Sequence, residues 1–302
     1  MVISPIAIFA YNRPEALKRT ISALKQCELA DQSELFIFSD GAKKDEDTKN
    51  VRHVRDFSNQ ITGFKDVYLR FSDKNKGLAN SIIDGVTAIF KENDSIIVVE
   101  DDLITSSNFI SFMNQALVKY NDYQEVVSIS GYNFDMKIPE DYRYDNFFTK
   151  RISSWGWGTW KNRWEEIDWT VSDYDSFEKN SSQKRKFNEM GSDLSGMLKK
   201  QVNGKIDSWA VRFCYHQFKH NLYSVFPVRS KISNDGFNDN ATHTKRVGSR
   251  FETVLDDSGK TNFNFNSHVS LNNELTTQYI KNYSINNRVY HKLKNLFTSS
   301  IL

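Results

Sequence analysis

Short apolar runs alternate with longer amphipathic stretches along the first 130 residues of this 302-residue chain. The runs are rich in β-branched and aromatic residues, which predicts strands, and burial is expected for those at 34–39 and 95–99. They comprise residues 3–10, 34–39, 66–70, 95–99 and 126–130. Between the runs, apolar residues recur at helical spacing, as after Pro14, where Leu17, Ile21 and Leu24 share one face. Strands joined by helices at this spacing predict an α/β fold with a mostly parallel, Rossmann-like sheet.

The remainder of the chain is less regular. Residues 131–246 are rich in Trp, Tyr, Asn and Asp, a composition typical of substrate loops that cover the carboxyl edge of a sheet. We therefore expect a Rossmann-like half at 1–130, a loop-rich half of the same domain at 131–246, and a C-terminal extension at 247–302.

The chain ends in a predicted helical tail in which basic and apolar residues alternate. Its basic residues are Lys281, Arg288, His291, Lys292 and Lys294, and its apolar ones include Ile285, Val289, Tyr290, Leu293 and Leu296. The pattern fits a basic amphipathic helix for a membrane surface or a partner, and also a solvated terminal helix, which the charge pattern alone favours.

Composition removes several classes of protein. A hydrophobic content of 39% with 26% charged residues is typical of a folded globular chain. The net charge of +2 argues against a nucleic-acid partner, and two cysteines give neither a disulfide framework nor a cysteine zinc site. No apolar stretch approaches the roughly 20 residues that span a bilayer, and a strand begins almost at the N-terminus, so we expect a cytoplasmic protein.

Three consecutive carboxylates, Glu100, Asp101 and Asp102, follow directly after the apolar run 95–99. Open α/β sheets bind their ligands at this edge. Adjacent anions repel one another unless a cation lies among them, and hard oxygen ligands with room for phosphate suit Mn²⁺ or Mg²⁺. The triplet therefore predicts a divalent metal that holds a diphosphate, although a solvated acidic corner without function has the same sequence.

Two other predicted strands also end in polar residues, Asn12-Arg13 and Asp40-Gly41. Polar groups that converge at one sheet edge are typical of a nucleotide pocket. The chain has neither a dinucleotide glycine fingerprint nor a P-loop, so metal and basic side chains must hold the phosphates. Lys74 and Lys76 are candidate basic positions, whereas Gly77 has the simpler interpretation of a helix start.

An ordered set of motifs resembles a known family. Tyr-Asn-Arg-Pro at 11–14, Ser-Asp-Gly at 39–41, Asn-Lys-Gly at 75–77, Val-Val-Glu-Asp-Asp-Leu at 98–103 and Ser-Trp-Gly-Trp-Gly-Thr-Trp at 154–160 follow one another along the chain. Together they resemble nucleotide-sugar glycosyltransferases of the GT-A fold, most closely the N-acetylglucosaminyltransferase I type and its bacterial relatives. The resemblance covers roughly residues 1–245. It implies that 1–130 form the half that binds the nucleotide sugar and that 131–246 form the acceptor-binding and catalytic half of the same domain.

The resemblance implies roles for residues of the first half. Arg13 and Asp40 would lie around the nucleotide, with Asp101 near the ribose or the sugar of the donor. Asp102 would bind the metal directly, with Glu100 outside direct contact. Lys74 and Lys76 would contact the base, where the match to the family is loose.

For the second half the resemblance implies a catalytic base and an acceptor site. Asp207 matches the base of the family's aspartate-tryptophan segment, although Ser208 replaces an acid often found there, which leaves the register open by one residue. Trp155, Trp157 and Trp209 are candidates for stacking on acceptor sugars, with a packed core turn as the alternative for the first two. Thr242 and His243 lie in a segment that resembles a loop closing over the donor, Thr242 on the diphosphate and His243 on the metal or phosphate.

The implied activity is metal-dependent, inverting transfer of a sugar from a UDP-sugar donor, with N-acetylglucosamine or a related hexose expected. The acceptor would be a hydroxyl of a glycan or lipid-linked glycan in bacterial surface polysaccharide synthesis, with peripheral membrane contact through the tail. A nucleotidyltransferase acting on sugar phosphates is one alternative, although Ala10 to Pro14 lacks the glycine-rich loop it needs. A non-catalytic nucleotide-sugar-binding protein is the other.

Overall fold

A computed structural model describes residues 3–234, 251 and 253–299, and a large mixed sheet forms their centre. The strands of this sheet are β1 (Ile6–Ala10), β2 (Glu34–Ser39), β3 (Asp66–Phe71), β4 (Ser95–Glu100), β6 (Val126–Ser130), β7 (Asn146–Thr149), β8 (Trp157–Trp160) and β9 (Tyr223–Pro227). A separate short ladder pairs β5 (Leu103–Thr105) with β10 (Ile232–Asn234). The helices are α1 (Pro14–Lys25), α2 (Thr48–Ser58), α3 (Leu78–Ile89), α4 (Phe109–Lys119), α5 (Lys161–Trp164), α6 (Tyr174–Lys179), α7 (Ser181–Phe187), α8 (Leu194–Val202), α9 (Trp209–Lys219), α10 (Asn273–Tyr283) and α11 (Ile285–Ser299).

The predicted mostly parallel α/β sheet is confirmed. Its strand order is β3-β2-β1-β4-β8-β6-β9-β7, and β1 pairs in parallel with both β2 and β4. Ala10 lies opposite Ser39, and Phe9 lies opposite Glu100. The carboxyl ends of these three strands therefore meet at one edge, where the polar groups of the sequence were expected to converge.

The sheet departs from the sequence prediction in its second half. The tryptophan- and glycine-rich segment, expected to be irregular, forms β8, which is fully buried and runs antiparallel between β4 and β6. β7 is the other reversed strand of this sheet. The alternation of glycine with large indoles hides the usual strand signature, because Gly158 has no side chain and lies against the Ile96 carbonyl of β4.

An aromatic cluster fills the space beside β8. Trp157 stacks on Trp209 of α9 with 4.5 Å between ring centroids, and on Trp164 of α5 with 5.7 Å. Phe213, one turn further along α9, meets Trp157 edge-on. The contacts join the second half of the chain to the sheet, so the two halves share one core.

The C-terminal extension continues this core. Helix α10 buries Leu275, Tyr279 and Tyr283. The Tyr279 ring packs edge-on against Phe134 and Phe226. Among the described residues, no helix is long and apolar enough to cross a bilayer. The domain boundaries at 130 and 246 stay a prediction.

One buried histidine on α9 makes stability depend on pH. His216 is 5% exposed, and its Nε2 atom has no hydrogen-bond partner among the described residues. Burial, followed by the charges of His220 and Lys219, lowers the pKa of His216 from 6.5 to about 4. The unfolded chain therefore binds this proton at a higher pH than the folded chain, and the stability that the neutral ring contributes is lost as the pH falls from 6.5 to 4.

We expect the titration of His216 to lower the free energy of unfolding by about 2 kcal/mol when the pH is lowered from 7 to 5. Denaturant unfolding of the wild-type protein and of His216→Gln at both pH values measures this difference, since other titrating groups act equally on both. Equal losses in the two proteins would contradict the assignment.

Candidate active site

A cavity of about 390 Å³ opens at the carboxyl edge of β1, β2 and β4. The sequence-predicted residues that line it are Arg13, Asp40, Asp101 and Asp207, joined by Glu100 and Gly77. Three strand ends and one residue just before α9 thus converge on one space. The fold brings together residues up to 194 positions apart, from Arg13 to Asp207.

Arg13 bridges two acids of the triplet. One guanidinium nitrogen, Nη1, donates to Asp102 Oδ2 at 2.8 Å, and the other, Nη2, donates to Asp101 Oδ1. The backbone N–H of Tyr11 also donates to Asp101, and the Thr20 hydroxyl donates to the Asp101 carbonyl at 3.0 Å. Arg13 is 49% exposed and lines the cavity together with Asp101, whereas Asp102 is buried and does not line it.

The single positive charge of Arg13 does not neutralise the three acids at 100–102. Burial and the neighbouring carboxylates raise the pKa of Glu100 to about 8, and burial raises the pKa of Asp101 to about 6 against the opposing effect of Arg13. Asp102 Oδ1 is buried and accepts no hydrogen bond among the described residues. A buried carboxylate oxygen without a donor, among acids that one guanidinium does not neutralise, fits a bound divalent cation.

Such a cation would have few protein ligands here. No group of three His, Cys, Asp or Glu side chains in the described part of the chain converges in a metal-binding arrangement. Mg²⁺ and similar ions commonly bind one or two carboxylates and complete their shell with water and substrate phosphates. The arrangement therefore suits an ion that binds together with a phosphorylated ligand.

Asp40 holds the loop in front of α3. Its Oδ1 accepts hydrogen bonds from the backbone N–H groups of Gly41 and Lys76, both at 2.9 Å, and its Oδ2 accepts one from Gly77 at 3.0 Å. The carboxylate thus binds the 75–77 turn to the end of β2. This support of the cavity wall was not foreseen from the sequence, where Asp40 is expected beside the nucleotide.

Lys74 and Lys76, the lysines expected to contact the base, do not line the cavity that contains Arg13 and Asp207. Lys76 pairs with Asp84 at 2.8 Å and lines a neighbouring cavity of about 570 Å³, which shares Asp40 with the first. Lys74 is exposed and lines neither cavity. Their contact with a base stays a prediction.

Asp207 reaches the cavity from the loop that precedes α9. Its Oδ2 accepts a hydrogen bond from the Ala79 N–H at 3.1 Å, in the first turn of α3. Among the described residues no donor reaches its other oxygen, Oδ1, and the residue as a whole is exposed. Asp207 is therefore fixed through one oxygen, and the other is open to a ligand.

Gly77 allows this approach. Its φ of 78° and ψ of 161° belong to a region that only glycine adopts readily, and a Cβ atom there would lie 2.7 Å from Asp207 Oδ2. The sequence suggested only a helix start at this position. Its role as a contact for Asp207 has no local sequence signal, because the two residues are 130 positions apart.

We expect Gly77→Ala to displace the Asp207 carboxylate and to lower turnover at least tenfold, with a stability cost of about 1–3 kcal/mol. Gly204→Ala is the matched control, since Gly204 also has a positive φ, 65°, but open space around its Cβ position. For both variants, stability is measured by thermal unfolding and turnover by the rate at which product is formed. Equal activity losses in the two would show that backbone strain alone is responsible.

The predicted tryptophans are placed differently from one another. Trp157 and Trp209 are 1% and 2% exposed and stack on each other, so neither offers a ring face to a sugar and the core-packing alternative holds for Trp157. Trp155 is half-buried and lines a separate cavity of about 280 Å³ together with Ser208 and Tyr283. Of the three, Trp155 alone lines a cavity of the described structure, and its contact with an acceptor stays a prediction.

The loop after β1 is fixed by a residue that the sequence did not single out. Asp47 accepts hydrogen bonds from the Tyr11 hydroxyl at 2.8 Å and from Asn12 Nδ2 at 2.7 Å. It belongs to a run of charged residues, 43–47, with the composition of an ordinary solvated loop. Thr242 and His243 lie outside the described residues.

A sequence model of the family described as Glycosyl transferase family 2 matches residues 6–181, which is more than half of the chain. The matched range contains Arg13, Asp40 and the acid triplet, and it ends before Asp207. No curated protein matches the chain.

Solved structures give weaker likenesses. S. aureus TarS is 10% identical with a TM-score of 0.33, over 48% of this chain and 25% of that one. The mannosyltransferase PcManGT from Pyrobaculum calidifontis, solved with GDP-Man and Mn²⁺, is 10% identical with a TM-score of 0.40, over 71% of this chain and 73% of that one. The chain thus spans only a quarter of the length of TarS, and neither likeness is close enough to assign a donor, a metal or a residue. The finer resemblance to the N-acetylglucosaminyltransferase I type stays a prediction.

Proposed function

This chain belongs to glycosyl transferase family 2, and from that membership we propose that it transfers a sugar from a UDP-sugar to a hydroxyl group of a glycan or lipid-linked glycan. The observation that carries the proposal is the cavity that unites Arg13, Asp101 and Asp207, with Asp102 behind Arg13. Such a transfer needs a site for a metal-bound diphosphate and a base for the acceptor hydroxyl. The acids at 100–102 would supply the first, and Asp207, with one open oxygen, would supply the second.

The donor would bind at the strand ends of β1, β2 and β4. The half-exposed guanidinium of Arg13 lines the cavity, where it would contact the diphosphate. Asp40, through its hydrogen bonds to the 75–77 turn, would hold the cavity wall beside the nucleobase. N-acetylglucosamine or a related hexose is proposed as the sugar, on the sequence resemblance. A bacterial surface polysaccharide is proposed as the destination on the same ground.

A Mn²⁺ or Mg²⁺ ion would be held by Asp102, through the oxygen that lacks a donor, with Asp101 and Glu100 beside it. When bound, such an ion offsets the charge that develops on the departing diphosphate. His243 is proposed as a further ligand and Thr242 as a phosphate contact, both from sequence alone.

Asp207 is proposed as the general base. Its Oδ1 would take the proton of the acceptor hydroxyl as that oxygen attacks the anomeric carbon, while the bond to the diphosphate breaks on the opposite face. One displacement of this kind inverts the anomeric configuration. The bond from Ala79 to Oδ2 would hold the carboxylate in position throughout.

The reaction products distinguish the proposal from its alternatives. The wild-type protein is incubated with Mn²⁺, a panel of nucleotide sugars and a panel of glycan and glycolipid acceptors. Release of a nucleoside diphosphate with a glycosylated acceptor is the expected result. Pyrophosphate release from a nucleoside triphosphate and a sugar phosphate would instead indicate a nucleotidyltransferase, and donor binding without turnover a binding protein.

A further inference from the structure

Three apolar residues in the first half of the last described helix are exposed. Ile285, Val289 and Tyr290 of α11 are 63%, 49% and 61% exposed. Ile285 and Val289 are four residues apart, so they lie on one face of the helix, with Tyr290 beside them. In an ordinary surface helix this apolar face would contact the core.

Among the side chains of α11 that the structure describes, those turned toward the protein are polar instead. Arg288 and His291, three residues apart, are half-buried, and Arg288 Nη1 donates to Ser192 Oγ at 3.0 Å. A solvated terminal helix stays the alternative for this tail. The exposure of Ile285, Val289 and Tyr290 leaves this apolar face available to another partner.

Helix α11 is firmly attached where it begins. Its predecessor α10 ends at Tyr283, over whose ring the buried guanidinium of Arg151 lies at 3.7 Å. The Ser192 hydroxyl donates to the Tyr283 carbonyl at 2.7 Å. The exposed face is therefore presented from a fixed point on the protein.

The charge of this region identifies the partner. From Lys281 to the end of the chain there are four Lys and Arg residues and no Asp or Glu, although the whole chain carries only +2. A second copy of the helix would bring equal positive charges together across a symmetric interface. An anionic lipid surface satisfies both the apolar face and the positive charge.

We propose that α11 lies in the surface of an anionic membrane, with Ile285, Val289 and Tyr290 entering the lipid. Its 15 residues give a length of about 22 Å, too short to cross the hydrocarbon core of about 30 Å but suited to lying along its surface. A tyrosine ring is well placed at the boundary between lipid and water. This surface role does not depend on the proposed sugar transfer.

The test is sedimentation of the full chain with vesicles. We expect binding to phosphatidylcholine vesicles containing about one third phosphatidylglycerol, little binding to phosphatidylcholine alone, and weaker binding in high salt. Ile285→Asp/Val289→Asp should weaken the partition about 100-fold, or about tenfold for each side chain. The matched control is Val118→Asp/Val202→Asp, at positions 56% and 41% exposed on other helices, which should bind like the wild type.

All these positions are exposed, so the variants should share the thermal unfolding midpoint of the wild type. The proposal is overturned if the wild-type protein stays in solution with anionic vesicles, or if the Ile285/Val289 variant binds them as tightly. A wild-type dimer that the same variant converts to monomer, without vesicle binding, would also overturn it and assign the face to a second copy. None of these results bears on sugar transfer, which is measured separately on a water-soluble acceptor.

Discussion

Asp207→Asn is expected to lower the turnover of sugar transfer about 10²–10⁴-fold, the usual contribution of a general base. An amide cannot take the proton of the acceptor hydroxyl. Its carbonyl oxygen can still accept the hydrogen bond that Ala79 donates to Asp207 Oδ2, so α3 keeps its first turn. Donor affinity and the thermal unfolding midpoint should therefore match the wild type.

Asp207→Ala separates the two roles of this carboxylate. It removes the hydrogen bond to Ala79 as well as the base, so we expect the same loss of turnover and a stability loss of about 1 kcal/mol. Steady-state rates and thermal unfolding of both variants give the comparison. If Asp207→Asn turned over at a near-normal rate, the base would have to be another residue, and Asp207 would serve only to cap α3.

Asp102→Ala is expected to abolish both sugar transfer and the stabilisation of the protein by Mn²⁺ with UDP. A ligand at 100 times its dissociation constant stabilises the native state by about 2.7 kcal/mol, which a thermal unfolding assay detects. The variant loses the buried oxygen proposed to hold the ion, Asp102 Oδ1. Its fold should persist without metal, because Arg13 keeps Asp101 as a partner and one source of repulsion for Glu100 is removed.

The matched control is Asp45→Ala, an exposed acid in the loop before α2. It removes the same charge from the chain but leaves the acids at 100–102 and Arg13 unchanged. We expect full stabilisation by Mn²⁺ with UDP in this variant. A similar loss in both variants would mean that general charge, rather than the Asp102 site, governs the response to metal.

The sequence was most informative where one element has one clear pattern. The predicted strands from 34–39 to 126–130 correspond to β2, β3, β4 and β6 within a residue or so. β4 and β6 bury continuous runs, β2 buries every second residue, and β3 is the edge strand, with no residue fully buried. β8 was missed since its burial depends on neighbours distant in the chain. For the same reason Trp157 and Trp209, expected at a binding surface, lie in the core, since each is buried by contacts with residues distant in the chain.

The candidate site could be predicted only in part for a similar reason. Polar residues that follow strands were recognisable, and the fold does bring Arg13, Asp101 and Asp207 to one cavity. The supporting contacts were not recognisable, because Gly77 meets Asp207 and Asp47 meets Tyr11 across long separations in sequence. The orientation of α11 was equally hidden, since a helical period fixes which residues share a face but not which face contacts the protein.

The most direct measurement is anomalous diffraction from a crystal soaked with Mn²⁺ and UDP. We expect a manganese peak within bonding distance of Asp102, and the diphosphate beside Arg13 in the cavity that Asp207 also lines. UDP bound elsewhere, or a corner that stays without metal while the nucleotide is present, would contradict it.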